Sequence, residues 1–136
     1  MPSAVTYSLV KQGKAASVRL SPKAVTAYGE VQKGTDERSR KRRKQLDRYL
    51  QEFCDNEPHR LNDTQYKKEG NFPAKGRTIA VWTFKPFQWR LYGSVLTVNG
   101  LKCFVGVEVD EEKKQDRANK VLLEAAAAFI STLDEF

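Results

Sequence analysis

The chain has 136 residues, 40% hydrophobic and 10% aromatic, which is the size of one domain with apolar material for one core. Its 24 Lys and Arg against 17 Asp and Glu leave a formal charge of +7, a surplus that favours a polyanionic partner such as nucleic acid or an acidic protein surface. Cys54 and Cys103 belong to no CxxC pair or Cys/His cluster, which argues against a zinc site, and nothing calls for a cofactor. The start, Met1-Pro2-Ser3-Ala4-Val5-Thr6, has no signal-peptide pattern, and no apolar run approaches the roughly 18 residues of a membrane span, so a cytoplasmic location without a membrane partner is expected.

Residues 1–15 read as a mobile lead-in, and 16–136 as the single domain. Ala16 to Leu20 alternates like a short strand. Ser21-Pro22 is a helix start, because Ser caps free N–H groups and Pro is tolerated in the first turn, so a helix is predicted from Pro22 to Gln32. Gly34 suits a left-handed C-cap. A second helix is predicted from Asp36 to Asn56, with Leu46, Tyr49, Leu50 and Phe53 on one buried stripe. Its first half carries Arg38, Arg40, Lys41, Arg42, Arg43, Lys44 and Arg48.

From Glu57 to Arg77, Pro, Gly, Asn and Asp scattered among charges predict a loop, with one helical turn around Asp63 to Lys68. Three strands follow, Thr78–Phe84, Trp89–Val98 and Leu101–Val109. The last two are joined by Asn99-Gly100, whose residues accept the positive φ of a type I′ hairpin turn. A final helix is predicted from Asp116 to Leu133. This order predicts an α+β fold: an N-terminal helical hairpin packed on a mainly antiparallel sheet of about four strands, with a C-terminal helix.

No Gly-rich phosphate loop or GxSxG elbow is present, and His59 is the only histidine, so nucleotide hydrolysis and triad chemistry have no visible apparatus. Asp110, Glu111 and Glu112 read as a solvated acidic turn with no metal. Trp82, Lys85, Phe87, Trp89, Arg90 and Tyr92 are interleaved over two strands. Aromatic faces stack bases while Lys and Arg neutralise phosphates, a combination suited to single-stranded RNA. Alternation pairs Trp89 with Leu91 on the core face, so Arg90 and Tyr92 are expected on an open face. The run Arg38 to Lys44, with Arg42 and Arg43 at its centre, is either a solvated helix face or a phosphate-contacting stripe.

The segment Val81-Trp82-Thr83-Phe84-Lys85-Pro86-Phe87-Gln88-Trp89-Arg90-Leu91-Tyr92-Gly93 resembles the RelE/HigB toxins of the RelE/ParE superfamily. So do the hairpin after it, Val105-Gly106-Val107-Glu108-Val109, and Lys113-Lys114 before an Ala-rich helix. The phage-derived HigB-like branch is the most similar. The resemblance implies a microbial-ribonuclease-like fold and a metal-independent, ribosome-dependent mRNA endoribonuclease of a type II toxin–antitoxin system, silenced by a cognate antitoxin protein. It further implies Arg90 as phosphate clamp, with Lys85 and Tyr92 as supporting catalytic groups and Lys113 and Lys114 on the RNA backbone. Many members carry Glu where this chain has Thr83, which leaves open a non-catalytic RNA- or protein-binding module of the same fold.

Overall fold

The computed structural model describes residues 3–111 and 119–133. After a 3-10 turn at Ala4–Thr6 come strands β1 (Ser8–Gln12) and β2 (Ser17–Leu20), helices α1 (Pro22–Lys33) and α2 (Glu37–Asp55), strands β3 (Tyr66–Ala74), β4 (Arg77–Phe84), β5 (Trp89–Val98) and β6 (Leu101–Glu111), and helix α3 (Lys120–Ser131). The six strands form one sheet in the order β1-β2-β6-β5-β4-β3. All neighbours are antiparallel except β2 and β6, which run parallel because the chain crosses over between them. The class is α+β, but the expected sheet of about four strands is corrected to a six-stranded mixed one.

Two strands escaped the sequence reading. Residues 8–12, assigned to a lead-in, form β1 and pair with β2. The segment 66–74, assigned to a loop with a helical turn, forms the opposite edge strand β3. Gly70 and Pro73 weaken its strand signal, yet an edge strand tolerates both, since one side of its backbone needs no partner. Lys75-Gly76, with φ of 49° and 74°, closes the β3–β4 hairpin as Asn99-Gly100, with 54° and 78°, closes β5–β6.

The caps follow the sequence. Ser21 Oγ accepts from the Ala24 N–H at 3.2 Å, and an Asp36 carboxylate oxygen accepts from the Ser39 N–H at 3.3 Å. Gly34 has φ of −62°, not the expected left-handed value.

The sheet divides the core in two. On one face α1 and α2 bury Leu46, Leu50 and Phe53 against Val18, Leu20, Phe84, Trp89, Leu91 and Phe104; each fully buried large side chain contributes roughly 1.5–3 kcal/mol. On the other, Leu123, Ala126, Ala127 and Ile130 of α3 cover Ile79, Val81, Tyr92, Cys103, Val105 and Val107. The expectation of an open face carrying Tyr92 is therefore corrected. Arg90 and Tyr92 do share a face, but α3 packs there and Tyr92 is fully buried.

A bulge lies where Tyr92 pairs with Glu108 and Gly93 with Gly106, leaving Val107 as the extra residue. A Cβ on Gly93 would lie 2.0 Å from the Val105 carbonyl oxygen, so only glycine fits.

Candidate nucleic-acid interface

The first half of α2 lies against the loop Lys85–Gln88 that joins β4 to β5. The Arg42 Nε donates to the Phe87 carbonyl at 2.9 Å and its Nη2 to the Gln88 carbonyl at 3.4 Å. The Arg38 guanidinium donates to the Gln88 side-chain oxygen. The Lys41 ammonium sits 4.3 Å from the Phe87 ring centroid, a cation–π distance. From the strand side, Arg90 Nη1 donates to the Trp89 carbonyl at 2.9 Å and the Pro86 carbonyl at 3.3 Å. Lys85 belongs to the loop itself, and its ammonium donates to the Asp63 carbonyl at 3.0 Å. Two elements thus bring four cationic side chains onto one loop that carries a fifth.

Gln88 holds φ of 50°, a left-handed conformation that costs a side-chain-bearing residue roughly 1–2 kcal/mol. The donors from Arg42 and Arg38 hold it there.

Farther along α2, Lys41, Lys44, Gln45 and Arg48 line a shallow groove of about 230 Å³. Their spacing of three and four residues sets them on one side of the helix, and the three cations are exposed. Among the described residues no carboxylate lines this groove. The nearby acids on α2 include Asp36 and Glu37 at its start, Asp47, which accepts from the Gln32 side chain at 3.1 Å, and Glu52, four residues after Arg48; Asp110 stands opposite Arg90 in register on β6.

The residues singled out from the sequence divide. Arg90 and Lys85 meet at the loop. Arg42 also meets it, held by backbone carbonyls. Arg43 is turned the other way, where its Nη1 donates to the Gln32 and Gly34 carbonyls at 3.1 and 2.9 Å and closes the C-terminus of α1. Tyr92 is part of the core, and its hydroxyl oxygen accepts from the Asn119 N–H at 3.4 Å. Burial pushes its phenol up to about 12, so it does not ionise near neutrality. Lys113 and Lys114 lie outside the described residues. Arg38 and Lys41 meet the loop and Arg48 lines the groove; nothing in the sequence distinguishes them from the rest of the basic run.

His59 follows the far end of α2, within 5.9 Å of the Phe53 ring centroid and 5.2 Å of that of Tyr66. Its Nδ1 accepts from the Leu61 N–H at 3.2 Å, and burial lowers its pKa, as does the Lys102 charge. These contacts fit a structural histidine. Among the described residues no group of His, Cys, Asp and Glu could hold a metal ion, and no helix is long and apolar enough to cross a membrane. Compared with protein-family models, curated proteins and solved structures, the chain has no match.

Proposed function

We propose that this chain is an RNA-binding protein of the cytoplasm that takes hold of the phosphate backbone with the Lys85–Gln88 loop and the basic side of α2. The observation that carries this reading is the convergence of Arg38, Lys41 and Arg42 of α2 on a loop that includes Lys85 and that Arg90 meets from the other face of the sheet. The Lys41–Lys44–Arg48 groove extends that cationic surface. Phosphate neutralisation supplies most of the affinity, and the carbonyl contacts fix the shape of the surface before RNA arrives. The test is RNA affinity after Lys44→Glu with Arg48→Glu, both on exposed side chains. The pair lowers affinity at least tenfold with the fold intact; unchanged affinity removes the reading.

A second reading is favoured by Arg90, whose guanidinium is fixed on two carbonyls beside the loop. In it the chain is a toxin-like, ribosome-dependent mRNA endoribonuclease with a cognate antitoxin protein, as the resemblance to the RelE/HigB toxins implies. The 2′-hydroxyl attacks the adjacent phosphate as the P–O5′ bond breaks, its proton passing through solvent to the departing 5′ oxygen to leave a 2′,3′-cyclic phosphate and a 5′-hydroxyl, and Arg90 with Lys85 stabilises the developing charge without a metal. Tyr92 takes no direct part because it is buried. Induced expression of the wild type beside Arg90→Ala, with mRNA ends mapped, decides it. New ends with the wild type alone support catalysis; no new ends in either leave RNA binding as the function.

A further inference from the structure

Trp82 lies on β4 on the face covered by α1 and α2, packed against the edge of that core but only half-buried. Tyr66 of β3 covers one side of its indole, with ring centroids 5.0 Å apart and planes inclined by 18°. Tyr66 is in turn wedged among Phe53 of α2 at 5.4 Å, Phe84 at 4.4 Å and Phe104 at 6.1 Å. The indole is therefore held rigidly by a buried stack. Across the strand pair Lys68 stands opposite Trp82 in register, on the same face, and is exposed. Gly93 is the partner on β5 and contributes no side chain.

Helix α2 runs between the loop and this aromatic group. Phe87, at the loop, touches Lys41 near the start of α2, whereas Phe53, near its end, touches Tyr66. Between them on the helix come Lys44 and Arg48. The span from Lys41 to Phe53 is about 18 Å at the helical rise per residue. The half-exposed, pre-stacked indole thus has an exposed lysine beside it in register. The acids at that end include Glu52, whose carboxylate accepts from the Arg60 N–H and the Asn56 side chain, Asp55, which accepts from the Gln51 side chain at 2.6 Å, Glu57, which pairs with Lys102 at 2.8 Å, and Glu69 beside Lys68 on β3.

We infer that Trp82 is a base-stacking position that selects single-stranded over duplex RNA, a base lying on the indole while Lys68 meets a flanking phosphate. The inference rests on the reading of α2 as an RNA-binding surface. A paired base keeps its faces within the duplex stack and cannot cover the indole, whereas an unpaired base can. A stacked base contributes with little regard to sequence.

The experiment titrates the full chain and its variants with a non-self-pairing RNA of about 12 nucleotides and with the duplex of the same sequence. Indole emission reports stacking, because the other tryptophan, Trp89, is fully buried. The wild type prefers the single strand and its emission is quenched. Trp82→Ala weakens single-strand binding about tenfold and leaves duplex binding unchanged. Trp82→Phe keeps most of the affinity but loses the quench. Lys68→Glu, on an exposed side chain that does not disturb the core, also lowers single-strand affinity. Equal binding of both RNAs, or wild-type single-strand affinity in Trp82→Ala and Lys68→Glu, overturns the stacking proposal while salt-dependent binding keeps the basic surface. Absence of binding to either RNA overturns both.

Discussion

Arg42→Ala removes the side chain that joins α2 to the β4–β5 loop. Toward the loop the wild-type side chain makes one well-formed charged hydrogen bond, at 2.9 Å to the Phe87 carbonyl, and one long one, at 3.4 Å to the Gln88 carbonyl. A hydrogen bond from a charged donor contributes about 1.5–3 kcal/mol, and distances near the upper limit contribute little. The half-buried setting lets water replace part of the loss, and release of Gln88 from its left-handed φ returns some of the rest. The net loss is about 2 kcal/mol, which lowers the urea midpoint by roughly 1 M for a domain of this size. Unfolding followed by the emission of buried Trp89 measures it, with Lys44→Ala as the exposed control that leaves the midpoint in place. An unchanged midpoint in Arg42→Ala refutes the argument that this arginine anchors the loop.

Three further outcomes are expected. Gly93→Ala forces a Cβ to within 2.0 Å of the Val105 carbonyl oxygen and costs at least about 3 kcal/mol; a thermal midpoint equal to the wild type contradicts the bulge geometry. Tyr92→Phe removes one long hydrogen bond to the Asn119 N–H, so stability falls by about 0.5–1 kcal/mol and RNA affinity stays the same; a large loss of affinity returns Tyr92 to the interface. Burial, and then the Lys102 charge, lower the pKa of His59, so the unfolded chain binds the proton more readily. Its stabilising contribution is therefore complete above about pH 6.5, the usual histidine value, and is lost as pH falls through the native pKa. Urea unfolding across that range should show the wild type gaining stability with rising pH relative to His59→Gln, and the opposite slope contradicts the assignment.

The helices, the three C-terminal strands and the Asn99-Gly100 turn were legible because periodicity, caps and turn chemistry agree there. Strands β1 and β3 were not. Both are edges, where Lys, Gly and Pro are accommodated because one side of the backbone needs no partner, and the same residues spell loop in a local reading. Alternation set Arg90 and Tyr92 on one face correctly but could not reveal that α3 returns to cover it. The basic run 38–44 hid a division of labour. Arg43 closes α1, Arg42 anchors the loop, and Lys41 and Lys44 remain exposed, a partition decided by tertiary contacts alone. Trp82 was visible as one of several interleaved aromatics, and only its stack on Tyr66 distinguishes it from Trp89 in the core.

The central claim is tested most directly by the salt dependence of RNA binding in the wild type beside the Lys41→Ala, Lys44→Ala, Arg48→Ala triple variant. Log affinity falls linearly with log salt in the wild type, and the slope is shallower by about 2 in the variant, since each single-strand phosphate contact contributes about 0.7. Equal slopes in the two proteins, or binding indifferent to salt, would contradict it.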